Sequence, residues 1–381
     1  MPPTTLNKSN CLVIGAGLLG RTLAWRLASD GHRVSLFEAN GADIPNAAAP
    51  VAAAMLAPLA ESAITELNVV RMGQYSLEKW PQLLQDLPGR VFFQRQGTLI
   101  LWHPADAGEA ERFARLLARN HALLPSLSTP EHLNAQELTH LEPSLAQRFE
   151  RGLYLPGEGQ LDNRELLAAL CVALERLQAL GCVQLHWHAP IDPVEMFATV
   201  QSGDFKAAHF QAGVPTWVID CRGLGAKTHW PRLRGVRGEV VRLHAPEVTL
   251  SRPTRLIHPR YPIYIAPKEN GVFVIGATEI ESEDRSPSSV RSTLELLSAA
   301  YSVHPGFAEG RVLEMNTQLR PTLPDNLPTI EVLETGLMRI NGLYRHGFLI
   351  TPLMVDCALE WIQTEQQSLA LQVGLEMRMP A

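Results

Sequence analysis

Gly15, Gly17 and Gly20 stand in the string Gly15-Ala16-Gly17-Leu18-Leu19-Gly20, directly after the apolar run 11–14. That spacing suits a turn at which a strand gives way to a helix over a pyrophosphate. Gly15 permits the tight turn, Gly17 lets the backbone approach the phosphates, and Gly20 lets helix and strand pack closely. The helix N-terminus then offers unpaired N–H groups and a positive dipole end to the anion. A second apolar run, 34–37, ends at Glu38, 18 residues beyond Gly20. A carboxylate there accepts hydrogen bonds from ribose hydroxyls and repels a 2′-phosphate. The pattern predicts an adenine dinucleotide without a 2′-phosphate and leaves NAD and FAD both open.

Three residues far down the chain have side chains suited to an anionic or redox-active ligand. Arg320 sits before Pro321 at the end of a strand-like run, though its type alone also fits a surface ion pair. Arg345 lies between Gly342 and Gly347, in a turn feeding a helix whose N-terminus could face a second anion or a flavin ring. Tyr264, between Pro262 and Pro267, reads from its type as a half-buried sheet tyrosine. There is no Ser/His/Asp set, Cys/His pair or HExxH segment, and the 13 histidines are dispersed. A bound redox cofactor can carry the difficult chemistry without such a set.

The elements that must position these residues follow a clear order. After the glycine-rich βαβ unit comes an alanine-rich piece, 46–62, in which Pro50 and Pro58 argue against one continuous helix. Its small side chains suit either a plain helix or a close approach to a flat ligand. Helices are expected over 62–88, near 107–121, over 163–180 with Asp162 or Asn163 as N-cap, over 288–302 and over 351–363. Strands are expected at 91–93, 98–102, 183–188, 217–220, 236–243, 263–266 and 272–276, the last two joined by a turn at Glu269-Asn270-Gly271. The tail beyond 364 reads as loosely attached.

Composition bounds the class. The chain has 381 residues, 46% hydrophobic and 19% charged, with a net charge of −6. This fits an ordinary enzyme of two domains and offers no basic surface for nucleic acid. The five cysteines are scattered, without metal-ligand spacing, and suit a reducing cytoplasm. The first ten residues carry no signal pattern, and no window is long and apolar enough to span a bilayer.

Four blocks, taken together and in order, resemble the glycine oxidase branch of the D-amino-acid oxidase family of FAD enzymes, over about 11–363. They are VIGAGLLG with Glu38; AAAMLAPLAE (52–61), similar to the family's AAGMLxxxxE; YIAPKENGVFVIGATE (264–279), similar to YxVPRxxGxxxxGAT; and LRPTLPDNLP with GLYRHGFLITP, similar to GLRPxTxDxxP and GHxRxGxxLAP. The resemblance implies an α/β fold in which a Rossmann-like FAD-binding domain (1–88, 151–229 and 325–364) interleaves with an antiparallel-sheet substrate domain (89–150 and 230–324), followed by a tail, 365–381.

The same resemblance implies that Gly15, Gly17, Leu18, Leu19, Gly20, Glu38 and Ala39 hold the ADP part of non-covalently bound FAD. Ala48, Ala49, Ala53, Ala54 and Met55 pass the flavin and its phosphates, and Ile191 meets the adenine side. Leu343, Tyr344, Arg345, His346, Gly347, Phe348 and Leu349 wrap the isoalloxazine end. Arg320 matches the arginine that grips the substrate carboxylate, Tyr264 a hydroxyl that shares it, and Arg345 a second substrate-side arginine. No metal is implied.

The implied reaction is oxidative deamination of glycine or another small amino acid by hydride transfer from Cα to flavin N5. It gives an imine and then a keto acid, with H₂O₂ if O₂ is the acceptor, and suits a supply of imine to thiamine synthesis. Two alternatives stand beside it. One is a D-amino-acid or secondary-amine dehydrogenase using another acceptor; the other is a flavoprotein maturation or scaffold factor without amino-acid turnover. Homo-oligomer formation is left open. Glu279 stands where the family has an apolar residue, either favouring a cationic amine or a larger polar substrate in the pocket or pointing to solvent. Asn316-Thr317-Gln318 and Leu343 also depart from the family pattern.

Overall fold

The computed structural model describes residues 8–205, 214–258 and 262–380. The expectation of no signal pattern falls largely on the first seven residues, which lie outside these. Two large sheets divide the work. The first has seven strands in the order β18 (Glu376–Arg378), β16 (Thr329–Glu334), β17 (Leu337–Asn341), β10 (Trp217–Asp220), β1 (Asn10–Ile14), β2 (Arg33–Phe37) and β9 (Val183–His186). From β17 to β9 every pairing is parallel. Strands β1, β2 and β10 are apolar on both faces because helices cover both, as a parallel sheet requires.

The second sheet has eight strands: β15 (Arg311–Thr322), β11 (Arg234–His244), β14 (Val272–Gly276), β13 (Ile263–Pro267), β12 (Thr254–Ile257), β5 (Thr98–Trp102), β7 (Arg151–Leu155) and β6 (Glu131–Asn134). All neighbours are antiparallel except β12 and β5. Its register sets the site. Asn316, Val240, Gly276, Tyr264, Arg255 and Ile100 lie opposite one another in successive strands. Since side chains alternate between faces, these residues share one face with Gly238, Gln318 and Arg320. A small sheet of β3 (Met55–Leu56), β8 (Gly159–Leu161) and β4 (Phe93–Gln94) bridges the two.

Polar seams join the halves. Arg164 holds Glu314 bidentately at 2.7 and 2.6 Å, and Arg242 pairs with Asp162 at 3.2 Å. Asp162 also caps the helix Asn163–Ala179 through Arg164 N and Glu165 N.

Three expectations change. The last long helix runs Gly347–Thr364 and begins four residues before the expected 351. A proline favours the first turn of a helix, which suggests a start just before Pro352. Here Pro352 lies further inside, and the carbonyl of Phe348 that it cannot serve accepts the buried Trp80 indole N–H at 3.0 Å. The expected loose tail is docked. A short helix, Ser368–Val373, leads into β18, which pairs with β16, and Arg378 reaches Glu331 at 3.1 Å. The segment Arg151–Leu155 belongs to the eight-stranded sheet, so the crossing back to the parallel sheet comes after 155 and not at 151. No helix among the described residues is long and apolar enough to cross a membrane.

Candidate active site

A cavity of about 1610 Å³ runs between the two large sheets, from the glycine turn to the face bearing Tyr264 and Arg320. At one end the strand β1 gives way to the helix Leu18–Ser29. Gly15 takes φ +99°, in the left-handed region that glycine adopts freely. A Cβ on Gly20 would stand 1.8 Å from the Gly15 carbonyl oxygen, whereas one on Gly17 would meet no protein atom within 4 Å. Gly20 is thus a packing glycine that does not line the cavity, and Gly17 opens onto it. The helix has no side-chain cap, so its first N–H groups, at Leu18 and Leu19, are left for a ligand. Glu38 is oriented by Ala16 N at 2.8 Å and Asn40 N at 3.0 Å, with Ala39 and Ile191 beside it on the wall. These are the donors, the acid and the open space that a dinucleotide needs.

The alanine-rich piece is not one continuous helix: turns over 46–51 lead into an extended strap, 52–57, and one helical turn, Pro58–Glu61. Asn163 Nδ2 donates to the carbonyls of Ala49 and Pro50 at 2.8 and 2.9 Å. The buried Lys268 ammonium donates to Ala53 O at 2.8 Å, Leu161 O at 2.7 Å and Gln160 Oε1 at 3.0 Å. Burial brings its pKa down to about 7. Held from behind at its carbonyls, the piece presents Ala48, Ala49, Ala53, Ala54 and Met55 to the cavity. Ala54 takes φ +54°, a left-handed conformation at the position where the family motif has glycine. Opposite, Leu343 to Leu349 line the wall, and the helix Gly347–Thr364 starts without a side-chain cap. A second set of helix N–H groups therefore faces the same space.

Arg320 lies half-buried on the cavity face. Its Nη2 donates to Thr278 O at 3.0 Å and its Nη1 reaches Arg237 O at 3.5 Å. No carboxylate among the described residues pairs with it. Gly238 makes room for it, since a Cβ there would stand 2.4 Å from Arg320 Nη2. Tyr264 lies against Gly276, whose added Cβ would meet the Tyr264 hydroxyl at 2.7 Å. Burial pushes the Tyr264 hydroxyl up, with Arg320 and Arg255 opposing, so it stays protonated and can donate.

Arg345 lines the cavity too, but its guanidinium is already engaged. Nε lies 3.1 Å from Glu61 Oε2, and Nη1 lies 3.0 Å from Glu279 Oε2. Arg345 is thus charge-compensated within the fold, and Glu279, although exposed, is paired with it. Glu61 also accepts from Arg255 Nη2 and lies 3.5 Å from His346 Nδ1. Burial acts to raise its pKa, but Arg255, Arg345 and His346 outweigh it and bring the carboxyl down to about 2. Burial, opposed by Glu61 and reinforced by both arginines, lowers His346 to about 4, so its imidazole is neutral at physiological pH.

Glu61, Arg255, Gly238 and Lys268 were not singled out from sequence. Glu61 closes the AAAMLAPLAE block and was visible there as its terminal acid. Arg255 sits on a four-residue strand whose pairing opposite Tyr264 is tertiary, and nothing local marks it.

The FAD dependent oxidoreductase (DAO) family pattern matches residues 10–361. The chain belongs to this family, and the dinucleotide is FAD. A protein named as a thiamine biosynthesis oxidoreductase, ThiO, of Rhizobium etli is 40% identical over 358 residues, covering 93% of this chain and 97% of its own. A glycine oxidase of Geobacillus kaustophilus is 26% identical, covering 90% and 89%. Among solved structures, iminodiacetate oxidase from Chelativorans sp. BNC1 has a TM-score of 0.77 at 21% identity, covering 98% of this chain and 100% of its own. The glycine oxidase structure from Geobacillus kaustophilus has a TM-score of 0.75 at 22% identity, covering 95% and 96%. These two likenesses carry the fold.

Two predictions follow from the site's geometry. Gly17→Val should fold with an unchanged apoprotein melting temperature and bind FAD at least about tenfold more weakly, read by flavin absorbance after dialysis. Gly20→Ala should instead lower stability by about 1–3 kcal/mol, because its methyl group collides with backbone. The Glu61 carboxyl, ordinarily near 4.5, is held near 2 in the fold. Its ionisation therefore stabilises the protein above about pH 4.5, and that stabilisation is lost as the pH falls toward 2. The gap in unfolding free energy between wild type and Glu61→Gln, measured by denaturant titration, should be full above pH 4.5 and close as the pH falls.

Proposed function

We propose that this FAD enzyme oxidatively deaminates glycine or another small amino acid, releasing an imine that water converts to the keto acid, with O₂ as electron acceptor. The observation that carries the reading is the half-buried, carboxylate-free guanidinium of Arg320 on the cavity face, next to the protonated hydroxyl of Tyr264. A guanidinium holds a carboxylate through two parallel N–H···O bonds, which fixes the direction of the rest of the molecule. Tyr264 donates a further hydrogen bond to the same carboxylate. When bound, FAD supplies the acceptor for the hydride that leaves Cα and passes the two electrons on.

The protein's own contribution is placement and exclusion. Holding the carboxylate at Arg320 aims Cα toward the strap and the second helix N-terminus, an orientation effect worth several kcal/mol. The substrate enters with its amine deprotonated, so no protein base is needed for the loss of hydride. The 40% identity to the ThiO protein and the glycine oxidase relative support both the small substrate and a role in supplying an imine for thiamine synthesis. We further propose that Gly15, Gly17, Leu18, Leu19, Glu38, Ala39 and Ile191 hold the ADP part of FAD, and that residues 48–55 and 343–349 surround the flavin.

The test is anaerobic mixing of the yellow protein with glycine, sarcosine and D-amino acids. Glycine or sarcosine should bleach the flavin, and air should restore the colour with release of H₂O₂. Retained colour with every substrate would overturn the assignment. Arg320→Ala should keep its FAD and lose at least about a hundredfold in kcat/KM, about 2.7 kcal/mol of transition-state stabilisation. Unchanged kinetics in that variant would refute the role given to Arg320.

A further inference from the structure

Among the charged groups that line the cavity, three arginines, Arg255, Arg320 and Arg345, and two carboxylates, Glu61 and Glu279, are linked to one another or to the Tyr264 face. Their pairing is uneven. Glu61, buried at the end of the helical turn Pro58–Glu61, takes Arg255 on one side and Arg345 Nε, at 3.1 Å, on the other. Glu279 takes Arg345 Nη1 at 3.0 Å. Arg320 alone has only backbone carbonyls. With Glu61 and Glu279 paired to Arg255 and Arg345, the guanidinium of these three left for a ligand is that of Arg320.

Arg255 and Tyr264 are cross-strand neighbours on the cavity face, and Arg345, on the turn before the last long helix, meets the same Glu61 carboxylate as Arg255. Without a carboxylate between them, these two guanidiniums would form a second anion site in the same chamber. Glu61 fills the place that a second substrate carboxylate would need.

Resting on the function proposed above, we propose that Glu61 is a specificity-determining residue: its carboxylate occupies Arg255 and Arg345 in place of a ligand's second carboxylate, restricting the pocket to amino acids with one. A dicarboxylic ligand would have to displace a buried, doubly paired carboxylate, or leave its own second charge unpaired in a desolvated chamber. Excluding it needs no steric block, because the internal acid competes for the same two arginines. Glutamine at 61 keeps the volume and removes the competing charge. The freed guanidiniums then take the second carboxylate of a short dicarboxylate.

The experiment uses the FAD-loaded protein and reads the change in flavin absorbance on titration with acetate and with malonate. Wild type should bind acetate and bind malonate no more tightly. In Glu61→Gln, malonate affinity should rise about tenfold or more relative to acetate, one charge-assisted contact's worth. Glu61→Asp keeps the charge and should restore the wild-type ratio, an outcome that a purely structural role for this position would not produce. Because removing a buried charge can prevent folding, Glu279→Gln provides a second variant. Glu279 is exposed, and its loss frees one end of Arg345, so the malonate-to-acetate ratio should move the same way by about threefold. An unchanged ratio in a folded Glu61→Gln protein, or in Glu279→Gln where the first does not fold, would overturn the proposal while leaving Arg320 as the carboxylate anchor. Failure of wild type to bind acetate at all would instead overturn the carboxylate site itself.

Discussion

A guanidinium removed from water needs acceptors, and a carboxylate meets that need better than any neutral group. In this protein Arg255 and Arg345 have carboxylates within the fold, and Arg320 has two backbone carbonyls and an open chamber. The remainder of the site is built around that unfilled demand. Gly238 gives the side chain its space, and the carbonyls of Thr278 and Arg237 hold its orientation. The register of β11 with β14 and β15 puts Gly238, Gly276 and Arg320 on the face that bears Tyr264. One strand slipping by a single residue would turn its contribution to the other side of the sheet.

Glu61 ties this face to the dinucleotide side. It touches Arg255 of the antiparallel sheet and also Arg345 and His346, which lead into the helix Gly347–Thr364. The alanine-rich piece before it is pinned by Asn163 and by Lys268, which comes from the turn after β13. Each piece of backbone that lines the chamber is therefore fixed in part by a group from the opposite half of the molecule, Lys268 for the strap and Glu279 for the turn at Arg345. Placement of a cofactor and placement of a substrate are coupled through a few buried polar contacts.

Much of the dinucleotide end was legible because it is local. The glycine turn, Glu38 and the second strand lie within thirty residues, and each glycine answers to a steric need that the string itself displays. The alternatives left open for the alanine-rich piece could not be decided locally, since its path along the cavity is held by Asn163 and Lys268, more than a hundred residues away. Arg320 was marked by the LRPTLPDNLP string, but its lack of a partner is a property of the assembled sheet. Arg345 shows the reverse case. Its type and its turn suggested a ligand contact, and only the fold brings Glu61 and Glu279 to it. The tail was misjudged for the same reason, because β18 finds its partner strand forty-seven residues upstream, at Glu331 opposite Arg378.

The most direct test is a crystal structure of the FAD-loaded enzyme with acetate bound. The carboxylate should lie on Arg320, accepting two N–H groups from its guanidinium and one O–H from Tyr264, with Glu61 still between Arg255 and Arg345. Acetate bound at Arg345 or Arg255 while Arg320 turns onto a protein carboxylate would contradict the account.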